Sequence, residues 1–230
     1  TKEPERNGAD LAHDLTVLND GSLDNTTSAN ATVLSSDQNA GLAIFMQNRN
    51  RQGYSYYKDG YTNIPMLKTL TFGTNLLFRP SGNSRMAIGY RFLRDDRRGG
   101  NKMDSVPEKA NIAETAQHDI HNASVDFGWT SSDQRHRFEL YSALATVNRD
   151  SYTGGYGSEE DPDPNAGRYY TRTKDVTWLC GGLFRTFFEK CWFMRARLTV
   201  GGEYTNDRLK DEMLGYGQTD RQKTDVGSLF

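Results

Sequence analysis

Apolar and polar residues alternate along most of this chain with a period of two. Leu70, Phe72, Thr74, Leu76 and Phe78 share one face of a stretch whose other face carries Thr69, Thr71, Gly73 and Asn75. The next stretch sets Met86, Ile88, Tyr90 and Phe92 against Ala87, Gly89 and Arg91. A third sets Ala123, Val125, Phe127 and Trp129 against Asn122, Ser124, Asp126 and Gly128. Near the C-terminus, Ala196, Leu198, Val200 and Tyr204 oppose Arg195, Arg197, Thr199 and Glu203. Such alternation is the pattern of β-strands wetted on one face. Residues 26–34 and 41–47 alternate less cleanly; in the latter, either Leu42, Ile44 and Met46 or Ala43 and Phe45 take the apolar face. The pattern predicts nine complete strands and the start of a tenth at residues 224–230.

Short polar turn clusters at residues 35–39, 79–84, 131–135 and 189–190 alternate with long polar stretches rich in Gly and Tyr. The long stretches fall at about 49–65, 95–117, 148–175 and 206–223, and only the connection at 19–24 is short where a long one is due. A meander with tight turns at one end and long loops at the other has two chemically different ends, as outer-membrane barrels do. Aromatic residues crowd the short-turn ends: Phe78, Phe127, Trp129, Phe138, Phe187, Phe188, Trp192 and Phe193. Tyr90, Phe92, Trp178 and Tyr204 lie about 8 to 12 residues further along, which fits one bilayer crossing of roughly 9–11 residues. Rings with one apolar and one wet end favour the headgroup level, so the spacing fits a pair of interfacial girdles. The expected fold is all-β: an antiparallel up-and-down transmembrane β-barrel, of which residues 1–230 form a part.

Composition adds exclusions. Charged residues make up 25% of the chain and the net charge is −2, so no basic stripe marks a nucleic-acid partner. No apolar run reaches the roughly 18 residues of a membrane helix, a test that membrane strands never meet. Two cysteines are too few for a disulfide scaffold, and Cys180 is expected opposite roughly Leu198, away from Cys191. The chain begins on Thr1, as a processed or excised segment would, and stops on an apolar residue in mid-strand. Open sheet edges leave backbone groups unpaired in lipid, so a piece of a larger barrel is expected.

Thr1-Lys2-Glu3-Pro4 resembles the end of the plug domain of the TonB-dependent outer-membrane receptors of Bacteroidetes-type bacteria. Lys58-Asp59-Gly60-Tyr61-Thr62 followed by Ile64-Pro65-Met66-Leu67 is similar to the end of the second external loop. Arg97-Arg98-Gly99-Gly100-Asn101, Pro107-Glu108 and Ile112-Ala113-Glu114-Thr115 resemble the third, and Gly202-Glu203-Tyr204 with Leu209, Asp211 and Gln222 the ninth strand and its loop. The resemblance implies about ten strands of a roughly 22-stranded barrel with a plug inside. It implies import of a scarce, bulky nutrient (cobalamin, haem or a ferric siderophore) by coupling to TonB, with outer-membrane lipid, the plug and the remaining strands as partners. A surface lipoprotein capping the barrel is a further partner of such receptors. The plug and TonB-contacting segment are absent from these residues.

No catalytic set is visible, so an enzyme is not expected. His13, His118, His121 and His136 have no ligand at metal-site spacing; His118 and His121 sit where the third loop descends and either face a ligand such as haem or are plain rim histidines. Asp59 and the acidic run Glu159, Glu160, Asp161 and Asp163 are candidate calcium ligands in the external loops, against a default of solvated carboxylates. Tyr54, Tyr56, Tyr57, Tyr152, Tyr156, Tyr169 and Tyr170 are candidate ligand contacts, because Tyr offers stiff, broad area with a polar tip; the alternative is that they pack the loops together. Arg97 and Arg98 either take an anionic group or pair with Asp95 and Asp96. Arg91, Arg137, Glu139, Arg185, Arg195, Arg197 and Glu203 are expected on the lumen face, bonded to the plug or to one another. Two rival readings are a passive porin without a plug and, more remotely, a soluble β-rich carbohydrate-binding module.

Overall fold

The computed structural model describes residues 6–57, 59–158 and 160–230. Its strands are β1 Gly8–Val17, β2 Leu23–Leu34, β3 Ala40–Arg51, β4 Met66–Ser81, β5 Ser84–Gly100, β6 Ala113–Thr130, β7 His136–Gly154, β8 Tyr170–Cys191, β9 Met194–Met213 and β10 Gln218–Leu229. They form one antiparallel sheet in chain order, each bonded to its sequence neighbours, and β1 and β10 are left as open edges. The expected all-β meander is therefore what the chain builds.

Three expectations change. The strands run well past the apolar stretches, so the connections shrink to residues 52–65, 101–112, 155–169 and 214–217. Backbone pairing is indifferent to side-chain polarity, and the hairpins continue where the sequence turns polar. Instead of starting at 224, β10 begins at Gln218 and pairs with β9 from Met213 downward. The turn between β8 and β9 is at Trp192-Phe193, not at Glu189-Lys190, with Trp192 in the left-handed region at φ 61°. Glu189 stays in the strand and is held by Arg135 across the sheet. The later turn shifts the register, so Cys180 lies opposite Tyr204 rather than Leu198, and both thiols are free.

Directly opposed residues on antiparallel strands share a face. Following the pairs from β3 to β9 therefore sorts every side chain. Leu42, Ile44 and Met46 oppose Leu76, Thr74 and Phe72, while Phe45 opposes Gly73 and lays its ring over it. That settles the β3 ambiguity: Phe45 belongs to the polar face. Phe187, expected among the girdle aromatics, opposes Arg197 and also turns to the polar face. The apolar face carries Phe72, Phe92, Val125, Phe138, Leu144, Phe184 and Val200 with no second layer over it. Val125 is 40% and Leu198 50% exposed, and the buried hydrophobics among the described residues are confined to Leu67, Leu77, Ala110, Ala113, Tyr152 and Ala166. A sandwich or helix-covered core is excluded by this arrangement.

The belt also drifts. Phe78, at the turn end of the belt on β4, leads sideways through Met86, Phe127, Leu140 and Gly182 to Gly202, near the loop end of the belt on β9. A belt that descends steadily across hydrogen-bonded rows requires strands inclined to it, the geometry of a barrel wall. The polar face is the concave one: a hollow of about 1020 Å³ is lined by Arg85, Asp126, Glu139, Tyr141, Arg185 and Arg197, among others.

Candidate functional site

At the long-loop end, three connections lock into one crown. The Asn101 side-chain carbonyl accepts N–H groups from Asn111 and Ile112 at 2.9 and 3.2 Å, which closes the 101–112 loop on itself. Thr62 binds that loop's base three times: its N–H and its hydroxyl donate to the Gly100 carbonyl, and the hydroxyl accepts the Gly100 N–H at 2.9 Å. Gly100 has φ 105°, and a Cβ there would meet the Ile112 carbonyl at 2.1 Å, so only glycine allows this approach. The 155–169 loop joins through Tyr156 N–H to Ala110 O and Gly157 N–H to Asn111 O.

The tyrosines divide by role. Tyr152 is fully buried against Ala110, Ala113, Tyr169 and Tyr170. It opposes Thr115 and Tyr170 in the register, which places it on the belt's side of the sheet under the 101–112 loop. A ring enclosed there has no surface for a ligand, so the expectation for Tyr152 is corrected to loop packing. Tyr170 donates to Glu108, and Tyr169 lies over Gly154 and donates to Asp163 at 2.7 Å. The carboxylate bond pushes the Tyr169 phenol up to about 12; the same contacts hold Glu108 and Asp163 below their ordinary values, chiefly through Tyr170 and the Asn165 N–H respectively. Tyr54 is bridged to Ile64. Tyr56 and Tyr57, packed edge to face, and Tyr156 remain exposed.

The two arginines part company. Arg97 lies on the concave face near the loops and pairs with Asp95, whose other oxygen accepts from Thr69 at 2.7 Å. Arg98 is buried on the belt's side and donates to the Lys102 carbonyl, so it too serves the loop. His118 and His121 point to opposite faces. His118 opposes Asp95 and Arg149 on the concave side, whereas His121 bonds the Tyr90 hydroxyl at 2.8 Å beside Phe92 on the belt.

The candidate calcium ligands do not converge. The Asp59 side chain accepts the Tyr61 N–H at 3.0 Å, Asp163 serves Asn165 and Tyr169, and Glu160 and Asp161 are exposed. Among the described residues no group of three or more His, Cys, Asp or Glu is placed to hold a metal, and Glu159 lies outside the described residues.

Arg91, Arg137, Glu139, Arg185, Arg197 and Glu203 fall on the concave face, and Arg195 lies in β9 at the register shift beside the Trp192-Phe193 turn. Arg137 pairs with Glu139 at 2.5 Å, and Glu203 accepts from the Tyr141 hydroxyl at 2.7 Å. The Tyr141 ring rests on Gly181, where a Cβ would come within 2.5 Å. Tyr141 carries no mark of its own in the sequence; an inward glycine on a long strand beside a tyrosine strand is the signal that points to it. Charge is also segregated along the concave face. Towards the turns the wall is mainly basic, but near the loops Asp175, Asp207, Asp211 and Asp220 share the concave side of β8 to β10. Thr173 and Thr177 donate to Asp211 and Asp207 at 2.7 and 2.9 Å.

No family model matches the chain, and no curated protein does. Among solved structures, the copper transporter OprC matches with a TM-score of 0.53 and 11% identity, over 99% of this chain and 35% of that one. The likeness is one of fold, and the chain spans about a third of the length of the protein it matches.

Proposed function

We propose that this chain is wall and external loops of an outer-membrane receptor of the TonB-dependent type, which binds a scarce nutrient outside and imports it past a plug. The observation that carries the reading is the two-faced sheet: an uncovered apolar belt that drifts across the strands, backed by a concave, charged wall beneath an organised crown of loops. Lipid satisfies the belt without a second layer, because between the two edge strands the backbone groups inside it are paired within the sheet. The fold likeness to a transporter over nearly all of the chain agrees with it. Exposed Tyr56, Tyr57 and Tyr156 are the crown's contact rings, and Arg97 with Asp95 stands at the mouth.

For the ligand, the stretches resembling Bacteroidetes-type receptors favour cobalamin, haem or a ferric siderophore. The acidic mouth formed by Asp175, Asp207, Asp211 and Asp220 favours a cationic or metal-bearing species, to which copper is added by the neighbour's substrate. The full-length receptor is expected in the outer-membrane fraction, soluble only with detergent. Bound ligand at a hundredfold excess over Kd raises folding stability by about 2.7 kcal/mol, so thermal unfolding in detergent with cupric ion, cobalamin or haem reads out the ligand. No shift with any of them would remove this ligand set, and complete solubility in aqueous buffer would remove the receptor.

A further inference from the structure

Above the belt on β8, β9 and β10, the convex face is basic where the concave face is acidic. Lys174 opposes Lys210, and Lys210 opposes Arg221, so three cations stand side by side on adjacent strands. Arg208, opposite Lys223, lies one step nearer the belt, and Arg172 one step further out. Neighbouring strands are about 4.8 Å apart, and like charges directly opposed cost stability. Nearby carboxylates are already engaged: Asp150 with Arg172, Glu212 with Lys210, and Asp225 with Lys223, Tyr204 and Asn206. Lys174 and Arg208 are exposed and make no ion pair among the described residues, and Arg221 lies beside them on the edge strand β10.

Position says what covers them. Trp178 and Tyr204, stacked edge to face with centroids 5.8 Å apart, close the belt on β8 and β9. Lys174 and Arg208 each lie four residues beyond, about 13 Å along the strand and roughly 9 Å in height at a 45° tilt. Long cationic side chains reach back along the wall towards the interface. We infer that this face binds the phosphate of phosphorylated lipid headgroups in the outer leaflet, with Lys174, Arg208, Lys210 and Arg221 as the cradle. Charge complementarity selects that occupant: a cationic row in which Lys210 is paired to Glu212 but Lys174 and Arg208 are not, just outside an aromatic-capped belt, meets the anionic layer of a membrane before it meets anything else. The inference rests on the belt facing lipid.

The test uses the full-length receptor in neutral detergent and native mass spectrometry with diphosphorylated lipid A, its dephosphorylated form, or inorganic phosphate. The phosphorylated lipid is expected to stay bound at least tenfold more than the dephosphorylated one, and millimolar phosphate is not expected to displace it. In K174Q/R208Q/R221Q that preference should collapse, since each cation near an anionic surface contributes roughly fivefold. Equal retention of the two lipids by the unaltered receptor, a reading independent of whether the variant folds, overturns the cradle. So does displacement by free phosphate, or an unchanged preference in a variant that keeps its heat-modifiable gel mobility. A receptor that stays in solution without detergent fails at the earlier step, and the two failures are thereby distinguished.

Discussion

At the scale of single residues, glycines decide where aromatic rings go. Gly181 seats Tyr141 and so aims its hydroxyl at Glu203. Gly181→Val forces that ring off its seat, and overpacking of this kind costs about 1–3 kcal/mol. Thermal unfolding in detergent should show the lowered midpoint; an unchanged midpoint would mean that the ring has another resting place. Tyr141→Phe keeps the seat and removes only the hydrogen bond, a smaller loss of about 1 kcal/mol. Asn101 has an equally specific role, because one carbonyl oxygen satisfies two backbone donors of its loop. Asn101→Ala leaves both N–H groups to water, and hydrogen exchange at Asn111 and Ile112 should accelerate by tenfold or more. Neither Tyr141 nor Asn101 is marked by its residue type. Their importance comes from neighbours 40 and ten positions distant in sequence.

Among the elements, alternation along β6 gives the sharpest contrast. Val125 and Ser124 are adjacent in sequence and opposite in facing. Val125→Arg sets a charge in the middle of the belt, a change that costs about 2–4 kcal/mol where the belt meets lipid. Ser124→Arg faces the hollow and should be nearly neutral. Equal effects of the two on folding yield in detergent would contradict the two-faced wall. The joined loops carry a pH dependence. The Glu108 and Asp163 carboxyls are held below their ordinary values of 4.5 and 3.8 in the folded crown. A depressed folded value means that the contacts contribute fully above the unfolded value and are lost as pH falls through the folded one. Protease cleavage in residues 101–112 and 155–169 should therefore rise below about pH 4 and be low at neutral pH. Indifference of cleavage to pH would show that the tyrosine–carboxylate bonds do not hold the loops.

For the molecule as a whole, the ends of the sheet and the two faces matter more than any core. The described residues make one layer whose edges, β1 and β10, are ready to continue into further strands. On β8 to β10 its convex side changes from apolar belt to basic rim, and its concave side carries an acidic mouth, so a molecule approaching these strands from the loops meets opposite charge on their two sides. Alternating acids and bases at Lys174-Asp175, Asp207-Arg208, Lys210-Asp211 and Asp220-Arg221 write this segregation into the chain at every second residue.

Period-two alternation, most of the aromatics at the two ends of the apolar belt and three of the four tight turns were legible from the chain alone, because the side chains of a strand alternate by local backbone geometry. Strand ends, the Trp192-Phe193 turn, the facing of Phe45 and Phe187 and the burial of Tyr152 and Arg98 were not legible. Each of these is set by which residue on another strand or loop lies opposite, a non-local pairing that the tertiary structure chooses through backbone hydrogen bonds and the fit of rings over glycines.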